Sequence, residues 1–327
     1  MYLYGVIHGG PPFNPATDIP DLSGKVILVT GGNIGLGKET ILKLSKHNPS
    51  QIYLAARTKS KADAAIADLK QQVPSANITF LQCDLASLPS VQNAARTFLS
   101  QSQRLDILFL NAGVMALPPG TTEQGYEIQF GTNHVGHALL TKLLLPTLQH
   151  TAKTVPNADV RIISLSSIGH TGAMFHGIEF PSLKTDASKL STWLRYAQSK
   201  LANILFAREL ARRYPEITSV SVHPGFVSTE LYETWRGQNF LFKAWGKLML
   251  KLVFTLVPDG TKGQLWAAVA PIAKEGEGKK VKAGEVVNGE YYTPVGVPGN
   301  GTGYSRDEAL ARRLWEWTEK ELEEYEL

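Results

Sequence analysis

The sequence predicts a doubly wound α/β domain, a mostly parallel sheet with helices on both faces, and three observations carry that prediction. Short apolar runs rich in β-branched residues fall at 26–30, 52–56, 78–81, 105–110, 160–165 and 220–223 and read as strands. The stretches between them read as helices, which parallel neighbours require because they are joined by crossovers and not by hairpins. A glycine-rich turn, Gly31-Gly32-Asn33-Ile34-Gly35-Leu36-Gly37, ends the first strand and opens the helix after it.

Residues 1–24, with Gly9-Gly10-Pro11-Pro12 and Pro20, read as an extended arm, since proline and glycine disfavour a packed element. Residues 25–327 read as one domain, and a chain of 327 residues that is 43% hydrophobic can bury a full core. Two segments fall outside the strand and helix alternation. In 241–257, Leu241, Trp245, Leu248, Leu252 and Leu256 recur at helical spacing while Lys243, Lys247 and Lys251 form a separate line, a basic amphipathic helix. Near the end, Ser305 followed by Glu308 has the capping-box pattern and opens a charged helix over about 305–325.

Composition narrows the function classes. Lys and Arg total 33 against 29 acidic residues, and the excess is too small and scattered for a nucleic-acid surface. Cys83 is the single cysteine, which excludes an internal disulfide framework and points to a reducing compartment. His134 and His137 share a helical face, but no third ligand stands at ligand spacing nearby; they read as packing or hydrogen-bonding side chains, and no metal is expected. The start of the chain lacks a signal-peptide pattern and no apolar run is long enough to span a bilayer, so a cytoplasmic protein is expected.

A glycine turn between a strand and a helix lets a pyrophosphate approach backbone N–H groups at a helix N-terminus, where unpaired donors and the helix dipole favour negative charge. Its spacing here, Gly31-x-x-x-Gly35-x-Gly37, resembles the short-chain dehydrogenase/reductase family. The family's other motifs follow in order: Cys83-Asp84-Leu85 after the third strand, Asn111-Ala112-Gly113 after the fourth, and Tyr196-x-x-x-Lys200. The resemblance covers about 22–271, and Asn133-His134-Val135-Gly136-His137 with Ser199-Lys200-Leu201-Ala202-Asn203 are most similar to the retinol dehydrogenase-like branch.

That resemblance implies a Rossmann fold and a nicotinamide cofactor. Gly31, Asn33, Ile34, Gly35, Leu36 and Gly37 would hold its pyrophosphate, and Asp84 and Leu85 its adenine. Asn111, Ala112 and Gly113 would brace the central sheet beside it. Pro224 and Gly225 would turn the chain beside the nicotinamide, with the Val227 backbone and the Thr229 hydroxyl on its carboxamide. Tyr196 and Lys200 would border the cofactor as well. Charge at the end of the second strand favours NADP(H) over NAD(H): a 2′-phosphate needs a cation where NAD(H) needs an acid, and the strand ends in Arg57 with Lys59 close behind.

Hydride transfer to a carbonyl creates an alkoxide unless a proton arrives with it, so the site needs an acid that serves as a base in reverse. Tyr196 fills that role if its phenol is made more acidic. Lowering a phenol from about 10 to about 7 takes about 4 kcal/mol, roughly what one ammonium about 4 Å away supplies at an effective dielectric of about 20. Lys200, four residues on, lies on the same helical face. A second donor must hold the substrate oxygen. The resemblance assigns Ser167, with Ser166 as the alternative, and places Asn133 where it would hold a water linking Lys200 to solvent.

In the family the segment over about 227–257 is a substrate lid. Its Tyr232, Trp235, Phe240, Phe242 and Trp245 point to a lipophilic small-molecule substrate. The helix at 241–257 either packs as part of that lid, the favoured reading, or lies on an anionic membrane as a peripheral contact. Family members often pair through the helices carrying Asn133 and Tyr196, which implies a homodimer. Two further functions compete: an epimerase or dehydratase of the extended branch, whose glycine spacing fits poorly, and an NADPH-binding sensor or scaffold with an idle oxidoreductase site.

Overall fold

The computed structural model of the chain describes residues 10–227, 256–273 and 284–327. Its strands are β1 (Val26–Thr30), β2 (Gln51–Ala56), β3 (Ile78–Gln82), β4 (Ile107–Leu110), β5 (Arg161–Leu165), β6 (Thr218–Val222), β7 (Tyr291–Thr293) and β8 (Val297–Pro298). They form one sheet in the order β3-β2-β1-β4-β5-β6-β7-β8, parallel throughout except where β8 runs against β7. The first six match the runs expected from sequence, with ends shifted by one or two residues. The last two fall in a stretch that showed no strand pattern.

Helices flank both faces: α1 (Gly35–Ser45), α2 (Lys59–Gln72), α3 (Leu88–Gln101), α4 (Gly136–Thr154), α5 (Thr192–Arg213), α6 (Lys262–Val269) and α7 (Glu308–Glu321). Successive strand residues feed opposite cores, because side chains alternate across a sheet. Leu28, Leu108 and Ile162 pack with Val91 of α3, Leu139 of α4, Leu201 of α5 and Leu314 of α7. Ile27, Phe109 and Ile163 pack with Ile41 of α1, Ala62 of α2 and Trp266 of α6 on the other face. This two-sided burial explains why the strands read as continuous apolar runs.

Two expectations need correction. The stretch 1–24 is not wholly an unpacked arm: Pro15–Asp18 forms a helical turn, and Ile19 and Leu22 are buried in the core of the α1 face. Burial of two aliphatic side chains outweighs the extended bias of the neighbouring prolines. The C-terminal helix is capped by Asp307, whose Oδ1 accepts the Leu310 N–H at 2.9 Å, and not by Ser305, whose hydroxyl donates to the Thr302 carbonyl inside a preceding turn. A carboxylate one residue from the first turn wins the cap over a serine three residues away.

Helix α7 covers α5 and reaches α4. Trp315 stacks on Phe206 with centroids 5.4 Å apart, the Arg213 guanidinium lies 4.6 Å over Trp315, and Lys142 Nζ donates to the Leu322 carbonyl at 2.9 Å. These are the two helices through which the resemblance implied pairing, so part of that surface is spent within the chain. Thr229, the lid aromatics and nearly all of the 241–257 helix lie outside the described residues. No helix among the described residues is long and apolar enough to cross a membrane.

A buried ion pair ties this frame to the loop after β4. Arg195 donates to Glu127 Oε1 at 3.0 Å and to the Leu117 carbonyl at 3.0 Å, and both charged side chains are at most 2% exposed. The second oxygen of Glu127 accepts the Phe130 N–H at 2.7 Å. Glu127→Ala leaves a buried guanidinium without its counter-charge and should cost about 3–5 kcal/mol of folding stability. Denaturant unfolding would show this as a lowered midpoint, and an unmoved midpoint would contradict it.

Candidate active site

Strand order reverses between β1 and β4, and in open α/β sheets a crevice forms at the carboxyl ends of the strands at such a point. A cavity of about 420 Å³ lies there. It brings together Gly31, Asn33, Ile34, Gly35, Leu36, Arg57, Asp84, Leu85, Asn111, Ala112, Gly113, Ser167, Tyr196, Lys200, Pro224, Gly225 and Val227. Gly37 packs against Gly31 and Asn111 of its wall, and Asn133 is bonded to Val114 of the same wall.

At one end the backbone is shaped for an anion. Gly31 and Gly35 have φ of +66° and +52°, the left-handed region that glycine enters without strain. Ile34 is extended and gives α1 no side-chain cap, so the first-turn N–H groups face the cleft without a protein acceptor from the cap residue. Gly37 lets α1 approach, because a Cβ there would run into the Gly31 carbonyl. Asn111 joins β1 to β4 by donating from Nδ2 to the Thr30 carbonyl at 2.8 Å, and its Oδ1 is buried without a partner among the described residues. Arg57, at the end of β2, is exposed at the rim, whereas Lys59 is engaged by Asp63 at 2.7 Å. An uncapped helix start and two left-handed glycines fit the pyrophosphate of a dinucleotide, with a cation on the rim beside it.

The other end is built by α5 and the turn after β5. Ser191 caps α5, its Oγ accepting the Leu194 N–H at 3.2 Å, and the helix then points Tyr196 and Lys200 into the cleft. Both are buried, and Lys200 Nζ lies 5.8 Å from the centre of the Tyr196 ring. The amine donates to the Leu165 carbonyl at 3.0 Å, and burial pushes its pKa down to about 8. It therefore stays mostly charged at neutral pH but is close to losing its proton.

The structure separates the two candidate serines. Ser166 is buried and its hydroxyl donates to the Lys200 carbonyl at 2.7 Å, so it anchors α5 to β5. Ser167 lines the cavity, and its Oγ accepts the Gly169 N–H at 3.0 Å, which leaves its own proton available toward the cleft. A Cβ placed on Gly169 would stand 3.0 Å from the Tyr196 ring and 3.2 Å from Ser167 Oγ, so the two side chains border one point.

Asn133 is not in an ordinary α-helix. It sits in a π-turn, Gly131–Val135, that leads into α4. Its carboxamide clamps Val114, accepting from the N–H at 2.8 Å and donating to the carbonyl at 2.9 Å, and also donates to Ser199 Oγ. A Cβ on Gly113 would lie 3.2 Å from Asn133 Oδ1 and 3.3 Å from Lys200 Nζ, so the two groups approach each other across that glycine. His134 and His137 take hydrogen-bonding places around it, His134 against Thr318 and His137 against the Asn133 carbonyl. Burial holds both imidazoles neutral, with pKa values lowered to about 3 and about 4.

Thr30, Val114, Gly169, Met115 and Leu117 also border the cleft, although no motif in the sequence marks them. Thr30 immediately precedes Gly31 and reads as a strand residue; its hydroxyl accepts the Asn111 and Ala112 N–H groups at 2.9 and 3.0 Å. Its position between strand and glycine turn was the available signal.

Similarity to known proteins extends over nearly the whole chain. A sequence profile of the short chain dehydrogenases matches residues 25–185. A short-chain dehydrogenase/reductase of Armillaria gallica is 42% identical over 315 residues, covering 94% of this chain and 93% of that protein. Retinol dehydrogenase 13 of Homo sapiens is 36% identical over 320 residues, covering 96% of this chain and 88% of that protein. A crystal structure from Mycobacterium paratuberculosis, 26% identical, aligns with a TM-score of 0.68 over 93% of this chain and 96% of that chain. Identity of this extent, on a cleft of this geometry, makes the chain a member of the short-chain dehydrogenase/reductase family.

Proposed function

We propose that the protein is an NADP(H)-dependent oxidoreductase that interconverts a lipophilic ketone or aldehyde and its alcohol, with Tyr196 as the general acid and base. Family membership makes it an oxidoreductase using a nicotinamide cofactor. The observation that carries the finer reading is the convergence of Ser167 Oγ and the Tyr196 ring on one point, with Lys200 Nζ beside that ring.

When bound, the reduced cofactor supplies the hydride. Ser167 and Tyr196 both donate to the substrate carbonyl oxygen, which fixes the carbonyl and withdraws electron density from its carbon. As the carbon gains its hydrogen, the phenol proton passes to the oxygen and an alcohol forms. The Lys200 ammonium stabilises the phenolate left behind, and in the reverse direction that phenolate removes the alcohol proton. Ser166 keeps Lys200 in place through its backbone, and Asn133 fixes Val114 on the cleft wall.

Arg57 supports NADP(H). It stands on the rim of the cleft with no ion-pair partner among the described residues, and a guanidinium matches a phosphate in charge and geometry. Val114, Met115, Leu117 and Val227 line the cavity and favour an apolar substrate. The human relative is named for retinol, a lipophilic alcohol.

Turnover of apolar carbonyls with NADPH should fall at least about 100-fold in Tyr196→Phe, with cofactor binding retained. Equal rates in the two proteins would support the scaffold reading instead. Arg57→Asp exchanges attraction for repulsion and should weaken NADPH roughly 30- to 100-fold while NADH changes less than about threefold. Fluorescence titration of both cofactors checks this, and unchanged discrimination would remove the phosphate contact.

A further inference from the structure

The hydrogen bonds around His137 admit one consistent set of directions. Its Nδ1 lies 3.0 Å from the Asn133 backbone carbonyl, its Nε2 lies 2.9 Å from the Thr30 hydroxyl, and the ring is buried. A carbonyl oxygen only accepts, so Nδ1 carries a proton. Burial keeps the ring neutral; the Asn133 carbonyl opposes that effect, and the Lys200 charge reinforces it. A neutral imidazole protonated at Nδ1 offers a lone pair at Nε2, and Thr30 donates to it. The other acceptor within reach of Thr30, the Phe109 carbonyl, is farther away at 3.2 Å. The two lone pairs of the Thr30 oxygen are then filled by the Asn111 and Ala112 N–H groups.

This chain of bonds joins two parts of the site. Thr30 lies under the glycine turn and the Asn111-Ala112 wall, while Asn133 occupies the π-turn in which the Gly136 N–H donates to the Gly131 carbonyl, five residues back. A single wide turn of this kind is rare in helices and occurs frequently at functional sites. Gly136 presses that turn against Leu85 on the cofactor cleft, for a Cβ there would run into the Leu85 carbonyl.

We infer that His137 is a positioning residue: through Thr30 and the Asn133 carbonyl it locks the floor of the cofactor cleft to the turn that places Asn133 beside Lys200. The inference deepens the proposed oxidoreductase function and rests on it. Among the described residues, the titratable groups facing the ring are Lys200 from α5 and His134 from the π-turn. Protonation of His137 would place a second cation beside Lys200. It would also turn Nε2 into a donor facing an oxygen whose lone pairs are already used, so the neutral Nδ1–H form is the working form.

The test compares the wild-type protein with His137→Phe, His137→Gln, Thr30→Val and the Thr30→Val/His137→Phe double variant. Nitrogen-15 imidazole spectra of the wild type should show His137 as the Nδ1–H tautomer with no titration above about pH 5. His137→Phe should weaken NADPH binding and lower kcat by about tenfold each, with a shifted pH profile of kcat. His137→Gln, which can donate to Asn133 and accept from Thr30, should recover most of both. The double variant should be no worse than His137→Phe alone, because the two side chains act as one unit. An Nε2–H tautomer, a His137→Phe protein with wild-type affinity and profile, or a glutamine no better than phenylalanine with an unshifted profile would each overturn the inference. The spectra and the NADPH titration need no turnover, so failure of the oxidoreductase reading, seen as Tyr196→Phe equal to wild type, is told apart from failure of this one.

Discussion

Burying the Lys200 amine beside the Tyr196 ring is costly, and much of the surrounding structure serves to make it tolerable. An ammonium withdrawn from water loses its charge unless acceptors and position compensate, and here burial has moved its pKa to about 8 without neutralising it at neutral pH. One acceptor is the Leu165 carbonyl at the end of β5. The position is held by Ser166, whose hydroxyl donates to the Lys200 carbonyl, and the residue before Lys200 is tied to the π-turn by Asn133, which donates to Ser199 Oγ. A charge in this setting acts through a lower dielectric than water, so it bears on the neighbouring phenol more strongly than a surface lysine would.

Those supports come from every layer of the fold. The sheet supplies the ends of β1, β4 and β5; α5 supplies Tyr196 and Lys200; the π-turn before α4 supplies Asn133. The buried Arg195–Glu127 pair attaches the loop bearing Leu117 to the helix that carries Tyr196, one residue from Arg195. Helix α7 closes the outside of the same region, with Thr318 against His134 and Tyr126 donating to Glu321. A chain this interlinked holds the side chains that line the cleft on rigid elements, which is what precise placement of donors requires.

Six strands, the glycine turn and the Tyr196–Lys200 pair were legible because each depends on local pattern: apolar runs, fixed glycine offsets and a four-residue helical interval. β7 and β8 were not, since they span three and two residues and are made by pairing with β6 and with each other rather than by any local periodicity. Adjacent identical residues do not show which of the two serines is engaged within the frame; Ser166 is bound to the Lys200 carbonyl, while Ser167 caps the turn after β5. The π-turn at Asn133 is invisible to a 3.6-residue period, and the role of Thr30 depends on partners 81 and 107 residues away. Ser305 misled because its spacing from Glu308 matches a capping box while Asp307 stands closer to the helix start.

The most direct test is the pH dependence of carbonyl reduction in the wild type and in Lys200→Met. The charged amine is present below about 8 and lost above it, so wild-type turnover should hold at neutral pH and decline through that region. The variant should be slower by roughly 100-fold at neutral pH and lack that inflexion, because no titrating charge remains beside the phenol. A Lys200→Met protein that keeps both the rate and the shape of the wild-type profile would contradict the account.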